Sequence, residues 1–257
     1  YEKGDNMKLK DKIAIITGAS SGIGRETALL FAKEGASVVA TARREGRLEE
    51  LVKISKDFAG TIIPLAGDVA KEEDLQKIID VTMDNFGRID ILVNNAGILD
   101  DFTPIANLTD ELWNNVIKIN LTSPMSLCRK AIPIMLKQKS GNIINVSSVG
   151  GLHGSRAGAA YTASKHGLVG LTKNIGYMYA NDGIRCNVVC PGGVDTEITN
   201  NLHADDFGVG RVMAGANNSP RSGSSEEIAN ILLFLASDDS SLINGATIVA
   251  DAGWTAY

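Results

Sequence analysis

Metal clusters, disulfides and membrane spans are poorly provided for in this sequence. Its 257 residues include three cysteines and three histidines. No Cys/His group has the spacing that a zinc site uses, so no metal is expected. Cys186 and Cys190 fall on one apolar segment that reads as a strand. Four residues at ~3.3 Å each hold them roughly 13 Å apart, beyond the ~7 Å that a disulfide tolerates. With Cys128 they read as reduced core thiols of a cytoplasmic protein. No apolar run approaches the ~18 residues of a membrane span, and no secretory leader is evident. Positive charge is in short supply as well. The 25 Lys and Arg against 30 Asp and Glu leave a net charge of −5, which speaks against nucleic acid or a membrane surface as partner.

What is present suffices for a sizeable core. Hydrophobic residues make up 44% and charged residues 21%, ordinary globular values that require no disulfide or metal staple. The length fits one large α/β domain or two small ones. Residues 1–6 precede Met7 and read as an expression remnant, so a single domain is taken over 7–257.

Short apolar runs alternate with helical patterns along the whole chain. Strands are predicted at 13–17, 37–41, 61–65, 89–94, 142–146, 185–190 and 246–250. Helices are predicted from the glycine turn to 34, then over 45–58, 72–86, 109–137, 159–180 and 226–236, with Thr109 as an N-cap. The strands are nearly continuous in apolar residues, as strands covered on both faces are. Regular alternation implies right-handed crossovers and a mostly parallel, doubly wound sheet of about seven strands with helices on both faces: a Rossmann fold. The stretch 191–225 is longer than an ordinary loop and reads as a substrate loop, with hinge mobility suggested by Gly192, Gly193, Gly208, Gly210 and Gly215.

The first strand runs into Thr17-Gly18-Ala19-Ser20-Ser21-Gly22-Ile23-Gly24. Glycines at that junction let the backbone approach a pyrophosphate, and the following helix offers its N-terminal N–H groups. The second strand ends in Thr41-Ala42-Arg43-Arg44. An acid there would hold a ribose 2′-hydroxyl; two guanidinium forks suit a 2′-phosphate instead, so NADP(H) is expected over NAD(H). Asp68-Val69 follows the third strand, where the acid can reach the adenine. Asn94-Asn95-Ala96-Gly97 ends the fourth, where small residues admit the cofactor ribose.

Chemistry is concentrated in Tyr161-x-x-x-Lys165. The two lie on one helical face. A tyrosine has a pKa near 10, and a neighbouring ammonium is expected to lower it enough for proton exchange with an alkoxide. Ser148, thirteen positions before Tyr161, can polarise a carbonyl, while Ser147 is expected to point the other way. Asn120, twenty-eight positions before Ser148, sits in a helix for which it has poor propensity; a side chain or carbonyl that anchors a water to Lys165 would explain it. The joint order and spacing point to hydride exchange between a nicotinamide and a carbonyl or alcohol.

These stretches, together with Asn187 to Gly192 and Pro220-Arg221-x-Gly223, resemble the short-chain dehydrogenase/reductase family over nearly all of 7–257. The resemblance implies a catalytic tetrad of Asn120, Ser148, Tyr161 and Lys165. Tyr161 would be the acid/base and Lys165 the ribose ligand that lowers its pKa. It further implies Pro191, Gly192, Val194 and Thr196 beside the nicotinamide and phosphates, and a tetramer built on the helices of Asn120 and Tyr161 and the last strand. The chain departs from the family's Asp-Gly-Gly with Asp251-Ala252-Gly253. His153 is a candidate substrate-pocket residue; His166 and His203 read as surface groups.

For substrate, similarity to 3-oxoacyl-[acyl-carrier-protein] reductases makes a 3-oxoacyl thioester the first expectation. A sugar or polyol dehydrogenase is the rival, since Tyr179 to Gly183 offers no base to an acidic carrier protein. A non-catalytic dinucleotide-binding redox sensor is the alternative of another class; such a protein has no need of Tyr161 and Lys165 together.

Overall fold

The computed structural model describes residues 7–200 and 202–256; the segment read as an expression remnant lies outside the described residues. Seven strands form one sheet: β1 (Ile13–Thr17), β2 (Ser37–Ala42), β3 (Thr61–Ala66), β4 (Ile91–Asn94), β5 (Gly141–Val146), β6 (Ile184–Pro191) and β7 (Thr247–Ala250). Every pairing is parallel, in the order β3-β2-β1-β4-β5-β6-β7. The order reverses between β1 and β4, and a doubly wound sheet opens its ligand crevice at that reversal, outside the carboxyl ends of the strands.

Side chains alternate across the sheet and build two cores. Ala14, Ile16, Val38, Ala40, Ile91 and Val93 face α1 (Gly22–Lys33), α2 (Glu45–Ile54) and α8 (Ser225–Ala236). Ile15, Val39, Leu92, Ile143 and Cys186 face α3 (Glu72–Phe86), α5 (Ser123–Gln138) and α6 (Ala159–Met178). Period-two alternation with both faces covered explains why these strands read as unbroken apolar runs. The three cysteines are free and buried. Among the described residues no helix is long and apolar enough to cross a membrane.

Helix starts follow local chemistry. Ser224 and Glu227 form a reciprocal capping box at α8, and Thr109 accepts from the Leu112 N–H at the start of α4 (Asp110–Ile117). Two expectations are corrected and one is refined. The helix expected over 45–58 ends at Ile54, where a turn through Ser55 brings the chain back toward β3. The long helix expected over 109–137 runs without interruption through α4 and α5 (Ser123–Gln138), with one π turn at Lys118–Thr122 between them. The stretch 191–225 is not irregular throughout, because α7 (Asp206–Ala216) lies inside it.

Two glycines of α7 are closely packed. Asp205 caps α7 through the Gly208 N–H at 2.8 Å, and its other oxygen takes Asn107 Nδ2 at 2.7 Å. A Cβ on Gly208 would strike the Phe102 carbonyl, and one on Gly215 would meet the Arg156 guanidinium. Trp254 Nε1 donates to the Gly215 carbonyl, and Arg156 stacks on the Trp254 ring. Gly208 and Gly215 permit this close packing. Nearby, Ala252 has φ +56°, a left-handed conformation that disfavours a Cβ by about 1 kcal/mol. Asp251 holds that turn with both oxygens, accepting from Gly253, Thr255 and the Thr255 hydroxyl.

Candidate active site

The phosphate end is built by the glycine turn. Gly18 has φ +69°, and a Cβ on Gly24 would stand 2.4 Å from the Gly18 carbonyl oxygen and 2.5 Å from Asn95 Nδ2. No side chain fits there, and the turn stays open to a ligand. Asn95 Nδ2 donates to the Thr17 carbonyl, and Thr17 Oγ1 accepts from Asn95 N and Ala96 N, each at 3.0 Å. The β1 turn and the β4 loop are thus one unit. Thr196 reaches the same turn: its methyl lies 3.0 Å from where a Gly22 Cβ would be. Val194 pairs with Gly223 across the base of the 191–225 stretch. Pro191 ends β6, and Gly192 donates its N–H to Ala250.

Arg44 lies over the turn, donating to Ser20 Oγ at 3.0 and 3.2 Å and to Ser21 Oγ at 2.7 Å. Arg43 is exposed, with no side-chain partner among the described residues. The Thr41 hydroxyl is buried without a partner at the end of β2. Asp68 caps its own turn, accepting from Ala70 N, and Val69 accepts from the Ser123 hydroxyl. A cradle closed to any Cβ, ringed by backbone N–H groups and two arginines, fits an adenine dinucleotide with its pyrophosphate at the α1 N-terminus.

The chemical end lies at the carboxyl ends of β4 and β5. Tyr161 and Lys165 are one turn apart on α6 and buried, 7% and 4% exposed. Ser148 follows β5, and its hydroxyl lies near the Tyr161 phenol, where it favours the phenolate. Gly150 is wedged between them: a Cβ there would sit 3.4 Å from Ser148 Oγ and 3.3 Å from the Tyr161 ring. Gly97 plays the same part for the other pair: a Cβ there would sit 3.3 Å from Asn120 Oδ1 and 3.4 Å from Lys165 Nζ. Lys165 Nζ donates to the Val146 carbonyl at 2.9 Å, and Ser147 donates to the Lys165 carbonyl. His153 is half-buried in the turn between Ser148 and Tyr161. The four residues singled out by spacing meet at one place.

The π turn explains Asn120. Its side chain is fully committed: Oδ1 accepts from Ile98 N, while Nδ2 donates to the Ile98 carbonyl and to Ser164 Oγ. Pro124, four residues on, has no N–H for the Asn120 carbonyl. The side chain therefore locks the β4 loop to α6. Proline four places after the asparagine was the legible sign.

The expected lowering of the Tyr161 pKa by Lys165 is not found among the protein's own groups. Burial pushes the phenol up to about 12, against a smaller lowering by the nearby Ser148 hydroxyl. Burial also pushes the Lys165 ammonium down to about 8, and Nζ stands 5.5 Å from the ring centroid. Desolvation outweighs the charge pair. At neutral pH the phenol holds its proton, the state that can give one away.

Asp100 was missed by sequence reasoning. It is completely buried and accepts from Gly158 N at 3.1 Å and Tyr161 N at 2.8 Å. α6 begins Gly158-Ala159-Ala160 with no side-chain cap of its own, so the acceptor for its first turn comes from the β4 loop. Nothing in the sequence distinguished Asp100 from Asp101. Burial raises its carboxyl above the usual carboxylate range despite those hydrogen bonds.

The chain is similar to known proteins over nearly its whole length. The family model described as enoyl-(acyl carrier protein) reductase matches residues 18–255. A 3beta-hydroxysteroid dehydrogenase 2 from Eggerthella lenta is 40% identical over 254 residues, 98% of each chain. The 3-oxoacyl-[acyl-carrier-protein] reductase FabG of Thermotoga maritima is 39% identical over 249 residues, 96% of this chain and 99% of that one. A solved structure from Beutenbergia cavernae, assigned as an NAD(P)-dependent gluconate 5-dehydrogenase with NADP at low occupancy, superposes with a TM-score of 0.86 at 34% identity, covering 98% and 99% of the two chains.

Proposed function

The chain belongs to the short-chain dehydrogenase/reductase family and is an NAD(P)-dependent oxidoreductase, and from that premise we propose that it reduces 3-oxoacyl thioesters with NADPH. The observation that carries the reading is the meeting of Ser148, Tyr161, Lys165 and Asn120 at one buried place. When bound, the nicotinamide supplies the hydride. The Ser148 hydroxyl holds the substrate oxygen, and the Tyr161 phenol gives it a proton as charge develops there. Lys165 and the Asn120 carbonyl lie behind Tyr161, where they return the proton through solvent. Asp100 holds the first turn of α6 so that the phenol stays aimed. His153 borders the substrate side of this site.

Support for NADP(H) comes from the strand-two end, where Arg43 and Arg44 take the place of an acid beside Ser20 and Ser21. Replacing Arg43 with Ala is expected to weaken NADPH by about 10-fold or more, as loss of a charge-assisted phosphate contact does, and to change NADH little. Fluorescence titration with both dinucleotides checks this; equal weakening would reduce Arg43 to surface charge.

The substrate assignment rests on the thioester reductase relative, and a sugar or polyol is the second reading, favoured by the gluconate 5-dehydrogenase neighbour. NADPH oxidation with an acetoacetyl thioester, run beside gluconate-type ketones and NADH, separates them. Thioester turnover supports the first reading; turnover of the sugar ketone alone replaces it. A non-catalytic redox sensor does not account for the buried Tyr161–Lys165 pair. The same reading places a homotetramer in the cytoplasm, with Tyr177 and Met178 of α6 and Val249 of β7 exposed for contact with further copies.

A further inference from the structure

Glu197 stands on the short turn Glu197–Thr199 that leaves β6 behind Thr196. Its carboxylate crosses to the other side of the cleft instead of bonding within its own loop. Oε2 accepts from Arg44 Nη1 and Oε1 from Arg47 Nη1, each at 2.7 Å. The other donors of Arg44 hold Ser20 and Ser21 of the phosphate turn. One carboxylate, two guanidinium groups and two hydroxyls therefore form a strap from the β6 loop to the glycine turn. A cleft of about 600 Å³, lined by Gly22, Glu26, Thr196, Glu197 and Ser225 among others, opens beside it.

An arginine fork binds carboxylate and phosphate by the same geometry. Glu197 thus engages donors that a ribose 2′-phosphate would use. A dinucleotide lacking that phosphate leaves the pair undisturbed. One that carries it must draw Arg44 away from Glu197, or bring two anions together. The neighbouring Glu26 is already paired with Arg25, so Glu197 is the acid set on this fork. Its two arginines hold its carboxyl below the usual range, so it remains ionised near neutral pH.

We propose that Glu197 is a specificity-determining residue that opposes the 2′-phosphate and narrows the preference for NADPH over NADH. The inference rests on the reading of Arg43 and Arg44 as the 2′-phosphate site. Arg43 remains available to the phosphate, so the preference is reduced and not inverted. Arg47 keeps hold of Glu197 when Arg44 turns to a ligand, so the strap shifts without leaving a lone carboxylate.

The test is the ratio of dissociation constants, Kd for NADH over Kd for NADPH, measured by fluorescence titration on the wild-type protein, Glu197→Gln and Arg43→Ala. Removing the charge of Glu197 is expected to raise the ratio about 3- to 10-fold, the range of one to two exposed ion pairs, mainly by tightening NADPH. The increase shrinks as salt is raised. A ratio that is unchanged or lower in Glu197→Gln, while Arg43→Ala still lowers it, overturns the inference and leaves the arginine site standing. A ratio unmoved in both variants removes the arginine site and the inference with it.

Discussion

Replacing Tyr161 with Phe is expected to lower turnover by about 10²- to 10⁴-fold, the span of general acid–base catalysis, while the protein keeps its fold. The ring is 7% exposed and the phenyl fills the same space, so packing is preserved. Only the hydroxyl goes, from beside Ser148. Its loss costs about 1 kcal/mol or less of stability, a shift of a few degrees at most in Tm. Dinucleotide binding, which rests largely on the glycine turn, should weaken no more than several-fold. Single-turnover kinetics, a thermal melt and a binding titration check the three parts. A variant that keeps a tenth of wild-type turnover would remove Tyr161 from the proton transfer. A protonated phenol near neutral pH also means that carbonyl reduction starts with the proton where it is needed, whereas alcohol oxidation needs cationic charge in the pocket to release it.

Exchanging Lys165 for Met should stabilise the protein at pH 7 by roughly 2 kcal/mol and abolish turnover. The ammonium is 4% exposed, and burial brings its pKa from 10.5 to about 8. Between those values the unfolded chain holds more protons than the folded one, so stability rises with pH across the window. Below about 8 the full penalty is present, on the order of 3 kcal/mol at 1.36 kcal/mol per unit. Met removes that penalty but leaves the Val146 carbonyl without its donor, which returns about 1 kcal/mol of it. The advantage of the variant should fade as pH climbs from 8 toward 10.5. Tyr161, raised to about 12, adds the opposite slope above 10, equally in both proteins. Urea unfolding at pH 7 and pH 10 reads the difference. A variant less stable than wild type at both values would mean that the buried ammonium is not a source of strain. The expected outcome would make Lys165 a residue kept for chemistry at a cost to the fold.

Much of this molecule is legible in one dimension. Strand β1, the glycine turn and α1 are readable because apolar periodicity and the fit of glycine are properties of neighbouring residues. Parallel order follows, since alternating strands and helices leave few other connections. The spacing of Asn120, Ser148, Tyr161 and Lys165 singles out four residues that meet, because each stands at the end of a strand or on a face of a helix, and the sheet brings those ends to one side. Tertiary structure decided the rest. Helix α7 was hidden among glycines because its support comes from Asp101, Asn107, Arg156 and Trp254, all distant in sequence. Asp100 caps α6 across 61 residues, and Glu197 reaches Arg44 across 153; no local pattern records either pairing. The direction of the Tyr161 shift belongs here too. Sequence places a lysine one turn away, which suggests a lowered pKa. Only the packed structure reveals that water is excluded from both groups, and desolvation exceeds the attraction between them.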